Sequence, residues 1–185
     1  MTPSSPRPGI VRDLLSGIVR SAQARLRTWG PTPDSVPPPH TTTPVEDAGT
    51  ATVEVTPPPA EDLRIEYAPQ LDGDPDAGEI VWTWVPYAEN DGRGKDRPVL
   101  VIGRQDASRV FAVKLTSKAH DGDRDFLPIG TGAWDTAGRA SWLDLDQVYS
   151  VHKTGLRREA AILDESRYRI VAEALHRRWG WAIEL

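Results

Sequence analysis

The chain has 185 residues, a length that suits one ordinary domain with additions. It has no cysteine, which excludes disulfides and cysteine-ligated metal sites, and no run of 18 apolar residues, so no transmembrane helix is expected. The net charge of −5 argues at first against a nucleic-acid partner, but it is unevenly spread: +4 over residues 1–33, −9 over 34–77 and zero over 78–185, which leaves room for a local basic face on the last segment.

The N-terminus lacks a basic start followed by an apolar core and a small-residue cleavage site, so a secretory signal is not expected and a cytoplasmic location is. Residues 10–29, IVRDLLSGIVRSAQARLRTW, carry apolar side chains at helical spacing with arginines between them. They predict an amphipathic basic N-terminal helix within residues 1–29. It docks on the body or on nothing, binds a partner, or makes weak contact with an anionic membrane surface. Residues 30–62 are proline-rich and acidic, with PPP at 37–39 and again at 57–59. Proline removes amide donors and favours extended conformations, so this segment is expected to be a disordered linker. Residues 63–77 continue the acidity as an extended tether, with LRIEYA at 63–68 able to add an edge strand.

From Gly78 the character changes, and six of the seven tryptophans lie beyond this point. EIVWTWV (79–85), RPVLVIG (97–103), RVFAVKLT (109–116), FLPI (126–129) and SWLDLDQVYSV (141–151) read as strands. YAENDGRGKD (87–96) is a polar loop and HDGDRD (120–125) a turn. Asp164 caps a closing helix that runs to about Arg178, with Ile170, Val171, Ala174, Leu175 and Trp179 as its apolar face. Short strands followed by one helix predict a mainly β fold over 78–185, a small curved barrel or half-barrel.

The chemistry-bearing residues are few. No HExxH spacing, GxGxxG, Walker lysine or GxSxG appears, so metal-hydrolase, nucleotide-binding and serine-hydrolase readings lack support. Neither a cofactor nor a metal site is expected. Arg97 is followed by Pro98, which biases it toward extended geometry. Its rigid fork suits a phosphate; an ion pair with Asp96 or a nearby carboxylate is the structural alternative. Thr116 and Ser117 end the next strand. An arginine and a hydroxyl meeting across a small sheet suit phosphodiester chemistry: the guanidinium neutralises charge on pentacoordinate phosphorus, and the hydroxyl donates to a non-bridging oxygen or relays a proton. RNA brings its own nucleophile, the 2′-hydroxyl.

GEIVWTWVPY (78–87), GKDRPVLVIG (94–103), VKLTSK (113–118) and SWLDLDQVYSVHKTGL (141–156) stand in an order, and at intervals, that resemble the PemK/MazF family of toxins from type II toxin–antitoxin systems. The resemblance covers nearly 80 residues and leaves the first 60 or so outside it. It implies a compact SH3-like barrel of curved antiparallel strands with small helices, a homodimer, and a metal-independent, sequence-specific endoribonuclease. Such an enzyme acts on single-stranded RNA laid in the dimer groove and leaves a 2′,3′-cyclic phosphate and a 5′-hydroxyl. The groove is one that the tail of a small antitoxin protein normally fills. By motif, Arg97 matches the catalytic arginine and Thr116 the catalytic hydroxyl residue. Arg93, Lys95, Ser117, Lys118 and Lys153 are candidates for RNA contact, or simply solvated polar groups. Tyr87 or Trp84 is placed to stack a base. Gln147, with Asp146 before it, matches the family's DQ pair; it is expected mainly to brace the turn and is also a candidate for RNA contact. His152 departs from the family's usual aspartate, and His120, just past Thr116, is a candidate proton carrier.

Two other readings remain at this stage. One is a non-catalytic module of the same fold that binds nucleic acid or a peptide. The other is a groove covered by the chain's own acidic N-terminal segment, a charge mimic of RNA.

Overall fold

The computed structural model describes residues 49–70, 72–87 and 92–185, all within one unit that spans His40–Leu185. The expected helix at 10–29 and the linker up to residue 48 lie outside the described residues. The elements are β1 (Val53–Val55), β2 (Arg64–Glu66), β3 (Glu79–Pro86), β4 (Gly94–Arg104), β5 (Arg109–Thr116), β6 (Phe126–Gly130), β7 (Ser141–His152), a 3-10 turn (Lys153–Gly155), β8 (Leu156–Ile162), α1 (Glu165–Trp179) and β9 (Ala182–Glu184).

The main sheet has seven strands in the order β1-β7-β5-β4-β3-β8, with β6 also on β7, and every pairing in it is antiparallel. The expected SH3-like barrel is therefore corrected: the fold is mainly β, but the sheet does not close. Closure would need a free edge on β7 for the strand at the far end. That edge is taken by β6 over Ser141–Asp144 and by β1 over Val148–Ser150. β8 pairs only with β3. The helical part of the expectation is corrected too: among the described residues the one α-helix is C-terminal. β1 also lies within the stretch expected to be a disordered linker.

The larger core lies between the sheet and α1. Ile80, Leu100, Ile102, Val113, Leu143, Val148, Tyr168, Val171 and Leu175 are fully buried in it, together with Trp134 and Trp181. Alternation along the strands turns Val81, Val85, Val99, Val101, Val110, Ala112, Tyr149 and Val151 into a second, smaller buried cluster. Asp164 caps α1 by accepting from the Arg167 amide at 3.0 Å, and Gly180, at φ 79°, ends it by donating its N–H to His176 O. Ile170 is exposed, and Tyr168 and Ala172 take the buried positions instead.

Residues 49–62 are fastened at several points. Arg109 donates to Gly49 O (2.9 Å) and Ala51 O (2.6 Å). Thr83 Oγ1 donates to Gly155 O (3.1 Å) and lies 2.5 Å from Thr52 Oγ1, so the Thr52 hydroxyl supplies the proton of that second, buried bond. Trp181 Nε1 donates to Pro58 O at 2.9 Å. Gly155 lies directly beneath Thr50: a Cβ there would sit 2.6 Å from Thr50 O.

Candidate functional site

After a register shift between Gly103 and Val101, β4 and β5 run in one register from Val101 and Ala112 down to Val99 and Lys114 and then part; beyond that point β5 continues to pair only with β7. Carried two residues further, the same register sets Arg97 opposite Thr116. The parting explains Pro98 as well. Its missing amide falls where β4 has no ladder to β5, while Trp82 of β3 faces it on the other side. Gly94 is required for this arrangement. A Cβ there would lie 2.5 Å from Val85 O and 2.6 Å from the Trp84 ring, so only glycine lets the β3–β4 hairpin close and aim Lys95 and Arg97.

The gap between the strands opens as a cleft of about 540 Å³. Arg97, Thr116, Ser117, Lys118, Lys95 and His120 all line it. Thr116 Oγ1 accepts the Lys118 amide at 3.1 Å, which leaves its hydroxyl proton free to donate into the cleft. Asp96 turns to Arg157 at 3.6 Å, and among the described residues no carboxylate pairs with Arg97. The ion pair between Arg97 and Asp96 that the local sequence allows is not formed. Lys95 reports the resulting field: its ammonium lies below the ordinary lysine range, chiefly through the charge of Arg97, then through burial, then through Arg139. A neutral domain thus carries a locally cationic cleft, suited to an anion.

A second cavity of about 440 Å³ shares Arg97 and is lined by Tyr87, Arg93, Lys114, Gln147 and Tyr149. Lys114 Nζ donates to Gln147 Oε1 at 2.5 Å and lies 3.3 Å from Asp144 Oδ2; Tyr149 OH donates to Gln147 Oε1 at 3.1 Å. Burial, then Glu54, then Asp144 push the Tyr149 phenol up, so it remains a donor. A third cavity, walled by Val53–Pro57, shares Tyr87 with the second. Through these shared residues the three form a continuous surface running from His120 to the N-terminal segment. Gln147 Nε2 meets the Glu54 carboxylate there at 3.3 and 3.4 Å.

Of the candidate residues from sequence, Trp84 and Lys153 line neither the cleft nor the second cavity: the Trp84 ring packs at Gly94, and Lys153 Nζ is bonded to Asp74 Oδ2 at 2.6 Å. Sequence reasoning missed Lys114, Arg139 and Glu54. Lys114 was accessible to it, since two residues before Thr116 on a strand means the same face. Arg139 was not, because the loop over 131–140 reaches the cleft only through the β6–β7 pairing. Among the described residues no group of three or more His, Asp or Glu side chains is placed to hold a metal, and no helix is long and apolar enough to cross a membrane.

The chain thus presents a mainly antiparallel sheet with a cationic cleft where two strands part. The profile described as "PemK-like, MazF-like toxin of type II toxin-antitoxin system" matches residues 76–178, more than half of the chain, and the chain belongs to that family. Solved structures are more distantly similar. A MazE–MazF complex from Deinococcus radiodurans is 22% identical, with TM-score 0.45, covering 57% of this chain and 96% of that one. The Mycobacterium tuberculosis toxin MazF-mt6 is 18% identical, with TM-score 0.42, covering 56% and 97%. An endoribonuclease in complex with its cognate antitoxin from a mycobacterial species is 16% identical, with TM-score 0.44, covering 56% and 93%. A search of curated proteins finds no match.

Proposed function

We propose that the chain is the toxin of a type II toxin–antitoxin system, a sequence-specific endoribonuclease that cuts single-stranded RNA by attack of the 2′-hydroxyl. The observation that carries this reading is the meeting of Arg97 and Thr116 in one cationic cleft where β4 and β5 part. In-line attack of O2′ puts extra negative charge on the non-bridging oxygens. The Arg97 fork is placed to take that charge, and the Thr116 hydroxyl, its oxygen already engaged by the Lys118 amide, donates to the same oxygens. Because the substrate supplies the nucleophile, the reaction needs no metal ion, and it ends in a 2′,3′-cyclic phosphate and a 5′-hydroxyl. Lys95, Ser117 and Lys118 steer the backbone into the cleft, while Tyr87, Arg93 and Gln147 contact bases or phosphates in the adjoining cavity. The partners are single-stranded RNA, a small antitoxin protein and a second copy of the chain, in the cytoplasm.

A second reading has its own support: the chain's acidic segment covers one end of this surface, since Glu54 takes the donor of Gln147. The chain is then a partly self-shielded enzyme, or a binding module that does not cut.

The test is incubation of the full chain with single-stranded RNA in EDTA, with analysis of the ends. Cleavage that yields cyclic phosphate and 5′-hydroxyl ends supports the enzyme. Binding with no cleavage at any salt concentration favours the binding module.

A further inference from the structure

Cyclising cleavage needs two proton transfers, one off O2′ and one onto O5′. A guanidinium does not give up its protons in a protein, and a threonine hydroxyl is a poor acid. Neither Arg97 nor Thr116 is therefore suited to protonate the leaving oxygen. An imidazole exchanges its proton readily near neutral pH, and the cleft holds one, His120.

His120 is set in place by three contacts. Its ring lies against Phe126 with centroids 3.5 Å apart and planes 12° from parallel. Its Nδ1 faces Asp123 Oδ2 at 3.6 Å, an ion-pair distance. Its carbonyl accepts the Asp123 amide at 3.2 Å, which closes the turn that follows β5. The other Asp123 oxygen accepts the Asp125 amide at 3.0 Å, so the carboxylate is fixed before it meets the ring. The side chain is 19% exposed, and its open side is the cleft that Arg97 and Thr116 line. The carboxylate at Nδ1 fixes the orientation of the ring and leaves Nε2 as the ring nitrogen available to substrate. A solvated loop histidine needs neither a stacked ring nor an oriented carboxylate.

We propose that His120, oriented by Asp123 and Phe126, is the general acid of the cleavage reaction. As the O2′–P bond forms and the P–O5′ bond breaks, the electron pair of the broken bond goes to O5′. O5′ takes the Nε2 proton of His120. The 2′-hydroxyl proton passes to water, and the neutral imidazole recovers a proton from water before the next turnover.

This proposal rests on the ribonuclease reading, and one experiment separates the two. The substrates are two RNA oligonucleotides carrying the bond that the wild-type chain cuts, one ordinary and one with sulfur in place of the bridging O5′. A thiolate leaves without an acid. His120→Asn should slow cleavage of the ordinary oligonucleotide roughly 100-fold or more, the usual contribution of acid–base catalysis. It should cut the sulfur-bridged oligonucleotide within a few-fold of wild type, which also shows that the variant is folded. Asp123→Asn should show the same pattern, smaller. Equal losses on both substrates, or an unchanged rate on the ordinary one, overturn the role of His120 while leaving the ribonuclease intact. A wild-type chain that cuts no single-stranded RNA, so that no such bond is found, overturns the ribonuclease reading itself.

Discussion

Gln147 Nε2 donates to both carboxylate oxygens of Glu54, at 3.3 and 3.4 Å, across 93 residues of sequence. The contact joins the acidic N-terminal segment to the surface that continues from the Arg97 cleft. It follows from the pairing of β1 with β7, which sets Glu54 opposite Tyr149, two residues from Gln147. Replacing Glu54 by Gln keeps the shape and removes the charge. An exposed charge near bound phosphate is worth about 1 kcal/mol at low salt, so Glu54→Gln should bind an uncleavable 2′-deoxy oligonucleotide roughly fivefold more tightly. The gain should disappear near 1 M salt, where the screening length is about 3 Å. Fluorescence anisotropy at two salt concentrations checks this, and equal affinities at low salt would show that the segment does not shield the groove.

The N-terminal segment should also contribute to stability. Thr83 is buried and bonded to both Thr52 and Gly155 O. Thr83→Val should lower the unfolding free energy by about 1–3 kcal/mol. Thr52→Val should cost less, because Thr83 keeps its carbonyl acceptor. A double-mutant cycle in urea should give a coupling of about 0.5 kcal/mol or more. Strict additivity would mean that the segment is not docked in solution.

Gly94→Ala tests the hairpin that aims the arginine. The new methyl group would meet Val85 O, a backbone atom that cannot move aside. The expected loss is about 2 kcal/mol, typical of overpacking. RNA affinity should fall with it, since Lys95 and Arg97 follow directly on the displaced residue.

The cap of α1 has a defined pH dependence. Hydrogen bonds from the Ser166 hydroxyl, the Arg167 side chain and the Arg167 amide hold the Asp164 carboxyl well below the usual carboxylate range. Its folded-state pKa is depressed, so its stabilisation is fully present above about pH 4, the ordinary carboxylate pKa, and fades as the pH falls. Asp164→Ala should cost about 1 kcal/mol at pH 7. The difference from wild type should shrink below about pH 4, as thermal unfolding across pH will show.

Much of this was legible in the sequence, for reasons that can be stated residue by residue. EIVWTWV and RVFAVKLT alternate and carry branched and aromatic side chains, so β3 and β5 follow from local pattern. Arg97 and Thr116 were singled out from strand-end chemistry and motif, and they line one cleft. β8, with the sequence LRREAAI, has little strand pattern of its own and forms by pairing with β3. β1 is three residues in an acidic, proline-bounded stretch and exists because β7 offers it an open edge. The open sheet was hidden for the same reason: whether curved strands close depends on which segment reaches the last free edge, and local sequence does not encode that. Ile170 fits the helical period but lies at the rim of the buried face, where Tyr168 and Ala172 are covered instead.

The central claim is that Arg97, unpaired with any carboxylate among the described residues, stabilises a phosphorane in the cleft. The most direct test is the single-turnover cleavage rate of Arg97→Ala at saturating enzyme in EDTA, beside its urea midpoint. The account predicts a rate at least about 100-fold below wild type, as for loss of one transition-state donor, with the midpoint unchanged. A wild-type rate at an unchanged midpoint would contradict it.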